Sequence, residues 1–216
     1  MCKEVALALL ENSREQDNVK GIDISGLDLT QCDISETSTE MLKGERVILS
    51  GGILDLAYFL DADFTAANFE GASCNQTAFF DCILYQVISP NADFSYAKLS
   101  ASSCNGSNFS SCEFDHANLW ASTFIGSDLS DAVLSHVEAA DACFDDANLS
   151  NTDLSNGNFT GTMFRKANLT GANLSHGNFT HCDFTGANLT NVCWDNAITK
   201  YAKFDKDINL NSAHVK

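Results

Sequence analysis

One register runs unbroken from Ile24 to Phe204: every fifth residue is large and apolar, with Leu, Ile, Phe or Trp at 30 of the 37 positions. The exceptions are Thr39, Gly44, Cys74, Ser89, Cys104, Ala139 and Thr199. Fourteen of the fifteen phenylalanines stand in this column, and only Phe80 falls outside it. Two residues before each column position, 34 of the 37 residues are Ala, Gly, Ser, Thr, Cys or Val. The unit reads small, polar, large, Ser or Thr, any, as in Ala147-Asn148-Leu149-Ser150-Asn151. A period of five matches neither a helix at 3.6 residues nor a flat strand at 2, so the chain has to wind as a solenoid.

A longer period is superimposed. From Phe144 the central residues run Phe, Leu, Leu, Phe, Phe, Leu, Leu, Phe, Phe, Leu, Trp194, a pattern that recurs every 20 residues. Phe124, Phe144, Phe164, Phe184 and Phe204 then fall in one column, and Leu129, Leu149, Leu169 and Leu189 in the next. Four units therefore make one coil. The large residue fills the inside of a wall, and the small residue two before it fits the crowded corner. Burying each large side chain is worth roughly 1.5–3 kcal/mol. About nine coils stacked like parallel strands, ~4.8 Å apart, give a rod of roughly 43 Å.

The segments ADFTA (62–66), ANLSN (147–151), ANLTG (167–171) and GANLT (186–190) resemble the pentapeptide-repeat family, and the likeness extends over residues 22–206. The resemblance implies an all-β fold, a right-handed quadrilateral β-helix. In length, rod form and acidity the chain is also similar to the family's quinolone-resistance members, DNA mimics that bind type II topoisomerases. Three segments are expected: a cap at 1–21, the β-helix at 22–206 and a tail at 207–216. An open β-helix end invites other strands, and Glu4–Asn12 reads as a short capping helix with Val5, Leu9 and Leu10 on one side. No apolar run reaches membrane-spanning length.

Two stretches disturb the repeat. At 37–47, Thr39 and Gly44 replace central apolar residues, while Thr37 with Glu40 matches a capping box, so a helical or looped excursion is an expectation here. At 87–91, Ser89 is central and Pro90 is the only proline, which predicts a local bulge. Nine cysteines, an odd number without zinc-like spacing, predict reduced thiols and a cytoplasmic location.

Charge carries the functional hint. The net charge is −17, and residues 47–164 hold 15 acids against one base, Lys98. Numbering the walls in chain order from residue 22, the third wall (32–36, 52–56 and onward by 20) carries Asp33, Glu36, Asp55, Asp93, Glu113, Asp115, Asp153 and Asp195 without a Lys or Arg. The second wall adds Asp28, Glu70, Asp128, Asp131 and Asp207, and the first wall holds Lys43, Arg46, Arg165, Lys166, Lys203 and Lys206. An acidic rod repels nucleic acid and attracts a basic groove. Tyr58, Tyr85, Tyr96 and Trp120 break an otherwise small, polar exterior. The candidate partner-binding set is Asp55, Asp93, Glu113, Asp115, Asp153, Trp120 and Tyr96.

Catalytic chemistry is not legible: there is no Ser–His–Asp arrangement, phosphate loop or nucleotide fingerprint, and a filled solenoid leaves no substrate cavity. His116 and His136, one coil apart with Asp115 beside them, read as a surface ladder, so no catalytic, cofactor or metal residue is assigned. The expected function is a non-catalytic, protein-binding scaffold, a bacterial regulator or delivered effector, acting as a monomer or weak end-to-end dimer. The alternative is a DNA mimic acting on DNA gyrase or topoisomerase IV.

Overall fold

A single turn, used over and over, generates the repeat. In most units the N–H three residues after the central one bonds back to the central carbonyl, as Ala67 does to Phe64 (2.9 Å) and Ala117 to Phe114 (2.9 Å). Such turns need a left-handed residue at the second inner position. Every fifth residue from Gly21 to Tyr201 meets that need, with φ between 52° and 75°. The polar residue before the central one locks the turn. Asp93 Oδ1 accepts from the Ser95 N–H at 2.8 Å and Asp153 Oδ1 from the Ser155 N–H at 3.0 Å.

The computed structural model describes residues 1–15 and 19–205. Four turns close each coil, and neighbouring coils pair in parallel with a register of 20, from Asp23↔Lys43 to Asp183↔Lys203. On the fourth wall the pairing lengthens into a parallel sheet of β1 (Val19–Lys20), β2 (Ser38–Glu40), β3 (Tyr58–Leu60) and β4 (Ala78–Phe80). Elsewhere each wall contributes a single bridge per coil. Asparagines stack outside the second wall: the Asn148 amide donates to Asp128 (2.9 Å), Asn168 to Asn148 (3.0 Å) and Asn188 to Asn168 (3.4 Å). The expected tail and Asp207 lie outside the described residues.

The central column is the core. Phe144 is fully buried. It stacks between Phe124 (5.0 Å, 5°) and Phe164 (5.4 Å, 9°), and Phe164 in turn stacks on Phe184 (5.0 Å). Cys74, Cys82, Cys104, Cys112 and Cys182 are buried among these rings and, like the other four, are free thiols. Burial pushes Cys82 and Cys112 up to about 12 and holds the other three above their ordinary value, so none of the five is a thiolate at neutral pH.

Both expected disturbances stay inside the wall. Residues 38–40 are β2, paired in register with β1 and β3, so no excursion leaves the rod at 37–47. The space that Gly44 leaves is taken by the next coil: a Cβ there would meet Phe64 Cδ1 at 2.8 Å. At 87–91 the ladder runs through Ile88, bridged to Asn68 and Asn108. Ser89 is buried, and its hydroxyl donates to the Asn108 carbonyl at 3.0 Å. Pro90 falls where other units use the N–H to meet an Asp or Asn side chain. Ile88 offers no such acceptor, so the missing donor is not missed.

The amino end is closed by α1 (Lys3–Glu15), whose buried residues are Ala6, Leu10 and Ser13. This phase differs from the expected one, since Val5 is 50% exposed and Leu9 only packs at the margin. The end of a coil is flat and already lined with side chains, so small Ala6 and Ser13 approach it more closely than Val5 could. Ser13 accepts from the Ser38 N–H (3.2 Å), and Arg14 donates to the Ser35 carbonyl (2.8 Å) and to Asp33 (3.1 Å). Among the described residues, no helix is long and apolar enough to cross a membrane.

Candidate partner-binding walls

The coil places three residues of each unit outward, and the third wall shows what each position does. The first outward position, just before the central residue, holds Asp33, Asp93, Glu113 and Asp153. Asp93 and Asp153 are half-buried because their carboxylates lock turns, and Asp153 also accepts from the Asn173 amide at 3.0 Å. Glu113, one methylene longer, stands exposed directly across the bridge from Asp93. The second position holds Asp55 and Asp115, which brace the next coil. Asp55 accepts from Ser73 Oγ (2.6 Å) and the Asn75 N–H (3.0 Å).

The third position, always left-handed, forms a corner column of Glu36, Leu56, Gln76, Tyr96, His116, His136, Asn156, His176 and Asn196. Tyr96 is 51% exposed and lies flat on His116 (5.1 Å, 9°), which stacks on His136 (4.7 Å, 15°). Asp115 reaches both imidazoles: its Oδ1 is 3.1 Å from His136 Nδ1 and its Oδ2 is 3.7 Å from His116 Nε2. Partial burial pushes the Asp115 carboxyl up, but hydrogen bonds from Ser135 Oγ (2.6 Å) and His136 outweigh it and hold it below its ordinary value. Asp115 is therefore a carboxylate at neutral pH.

Beyond this corner the fourth wall is apolar at β3 and β4. Tyr58 packs on Phe80 at 5.7 Å, and Trp120 is 49% exposed, with its backbone N–H bonded to Asn118 Oδ1 (3.0 Å). An open groove of about 420 Å³ follows the edge between the third and fourth walls, lined by Leu56, Gln76, Tyr96, Lys98, His116 and Asn118. The structure thus brings Tyr96, Glu113 and Asp115 onto one wall and sets Trp120 round the corner from them. Asp55 lies toward the amino end and Asp153 toward the carboxyl end of the same wall. The ladder of left-handed residues was missed by the sequence reading, which left that position as any residue. Its signal is the run of Gly, Asn, Asp and His at the fifth place of the unit, the types that tolerate positive φ.

The first wall, which holds most of the repeat's bases, also carries Asp23, Glu45, Asp63, Asp145, Asp146, Asp183 and Asp205 and so neutralises itself. Arg165 Nε donates to Asp145 at 2.9 Å, and Lys203 lies 3.7 Å from Asp183. Neither wall two nor wall three has an internal Lys or Arg among the described residues, although Arg14 of the cap reaches Asp33.

Solved structures with similar folds include HetL, a pentapeptide repeat protein involved in heterocyst differentiation regulation from the cyanobacterium Nostoc sp. strain PCC 7120. It is 20% identical, with 97% of this chain and 100% of that chain covered and a TM-score of 0.44. Full-length QnrB1, a plasmid-mediated fluoroquinolone resistance protein, is 18% identical over 88% of this chain and 94% of its own, at a TM-score of 0.31. A thylakoid-lumen pentapeptide repeat protein from Arabidopsis thaliana is 18% identical over 68% and 71%, at 0.26. No curated protein matches the chain. Eight copies of the pentapeptide repeats match within residues 48–87, 92–131, 112–151, 142–180 and 164–198. With its coils of four turns and these matches over most of its length, the chain belongs to the pentapeptide repeats family, whose fold is the right-handed quadrilateral β-helix.

Proposed function

We propose that this protein is a non-catalytic scaffold that binds a protein partner with a basic surface through its third wall. One observation carries the reading: eight carboxylates spread along a single wall that has no Lys or Arg, beside the half-exposed rings of Tyr96 and Trp120. Rigid aromatic anchors supply contact energy, and a one-signed field supplies rate and orientation. Asp55, Asp93, Glu113, Asp115 and Asp153 set the charge, and Tyr96 and Trp120 are the anchors. The nine free thiols support a reducing, cytoplasmic setting, in which the rod works as a monomer or weak dimer.

The alternative partner is a type II topoisomerase, bound by DNA mimicry. It is favoured by the pairing of Asp93 with Glu113 across adjacent coils, which repeats negative charge along the rod axis. A supercoiling assay of DNA gyrase, with the protein titrated in and with or without a quinolone, separates the two. Inhibition, or rescue from the drug, at micromolar protein is the mimic's outcome. No effect at large excess removes the topoisomerase and leaves a different basic partner.

A further inference from the structure

We propose that Asp115, His116 and His136 form a binding site for a divalent transition-metal cation of the zinc class. Each residue can direct one ligand atom to a common point, and these atoms all lie within 4.8 Å of one another. A zinc ion with bonds of about 2.0–2.2 Å needs ligand atoms roughly 3.3–3.5 Å apart. Asp115 already lies close to both imidazoles, with Oδ1 at 3.1 Å from His136 and Oδ2 at 3.7 Å from His116. The remaining histidine–histidine edge closes when the two rings, stacked at 4.7 Å, tilt out of their stack so that their in-plane lone pairs converge, which half-exposed rings permit.

Three features make this more than two histidines on a surface. The two rings are gathered at one corner by the stack that Tyr96 terminates, at 5.1 Å from His116. The backbone beneath is pinned, with φ of 58° at His116 and 57° at His136 and each N–H bonded to the next coil, His116 to the Ser135 carbonyl (3.1 Å) and His136 to the Ser155 carbonyl (3.0 Å). The carboxylate is aimed by Ser135, whose hydroxyl donates at 2.6 Å to the oxygen that faces His136. An oriented ligand supported from behind is what raises metal affinity. Two imidazole nitrogens and one carboxylate oxygen select zinc, copper or nickel over magnesium or calcium, which prefer all-oxygen shells. The site opens to solvent, so the remaining positions are left for water or for a partner's side chain. It does not depend on which partner the third wall binds, and it departs from the sequence reading, which assigns no metal here.

The test uses zinc chloride and the full chain. Asparagine replaces histidine, because Asn156 and Asn196 already occupy this column at φ of 59° and 56°, so the turn tolerates it. Cys2 and Cys193 are exposed and are changed to serine in all samples. A chelator-competition titration is expected to show one zinc per chain. Affinity should fall by well over tenfold in the His116→Asn/His136→Asn variant, and by about tenfold in Ser135→Ala. His176→Asn, two coils along the same column, should bind as the parent does. Cobalt bound in place of zinc should show d–d bands of nitrogen and oxygen ligation, lost in the double variant. Zinc affinity in the double variant equal to that of the parent, whether high or absent in both, overturns the proposal. Matching circular dichroism of the two proteins separates loss of ligands from loss of fold.

Discussion

Phe144→Ala should lower the stability of the rod by about 3–5 kcal/mol in urea unfolding, the range for emptying a large aromatic site that cannot collapse. Phe144 is fully buried and has a ring stacked on each side, Phe124 at 5.0 Å and Phe164 at 5.4 Å. Those rings are tied to coils whose spacing is set by backbone hydrogen bonds, so they cannot close over the void. A solenoid transmits stability only through neighbouring coils. The transition should therefore broaden as well as move, because the halves on either side of residue 144 lose part of their coupling. Phe80→Ala serves as the contrast: Phe80 lies on the outside of β4 and packs on Tyr58 at 5.7 Å. Its loss should be well under half as large. Equal effects at the two positions would mean that the central column is not the core.

Leu10→Asp should release the amino-terminal cap. Leu10 is 1% exposed in the face that α1 lays over the first coil. A leucine removed from such a site is worth about 2–5 kcal/mol, and a carboxylate there also loses its hydration. The tethers left, Ser13 to Ser38 and Arg14 to Ser35 and Asp33, hold only the last turn of the helix. Once α1 lifts, the first coil presents unpaired strand groups, the edge through which β-proteins join one another. Light scattering should show concentration-dependent association in Leu10→Asp, with fast amide exchange across residues 3–15. Val5→Asp, at a 50% exposed position, should remain as the parent. A monomeric Leu10→Asp with an ordered helix would contradict the cap's role.

Much of this architecture was legible because the repeat reports one physical event 37 times. The central column, the 20-residue coil and the Asp or Asn turn-lock all follow from side-chain size and hydrogen-bonding capacity, and each is found in place. What misled was the reading of single units in isolation. Thr39 and Gly44 look like breaks within their own coil, yet each is completed by the coil above. Phe59 lies one coil beyond Thr39, and the Phe64 ring fills the hollow at Gly44. The rotational phase of α1 was unreadable for a related reason. With Val5, Leu7, Leu9 and Leu10 the helix is apolar on more than one side, and the shape of the surface it covers selects Ala6 and Leu10. The histidine ladder was visible as a 20-residue spacing. The carboxylate shared between its two rings was not, because it depends on which way Asp115 turns, and Ser135 from the next coil decides that.

The acidic candidates divide in a manner the sequence could not show. Asp93 and Asp153 lock turns, Asp55 and Asp115 brace neighbouring coils, and Glu113 projects freely into solvent. Their charge is therefore available to a partner while their removal to alanine would also disturb the wall. Amide replacements keep the accepting oxygen and delete only the charge.

The central claim, that one wall carries the recognition, is tested most directly by neutralising equal charge on two walls. One variant carries Asp55→Asn, Asp93→Asn, Glu113→Gln and Asp115→Asn on the third wall. The other carries Asp28→Asn, Glu70→Gln, Asp128→Asn and Asp131→Asn on the second. Affinity for the basic partner, DNA gyrase or a protein retained on the immobilised rod, is measured across a salt series. At least a tenfold loss and a flattened salt dependence are expected in the third-wall variant, with the second-wall variant near the parent. Equal losses in both would mean that the rod attracts basic proteins through net charge alone, and would contradict the claim.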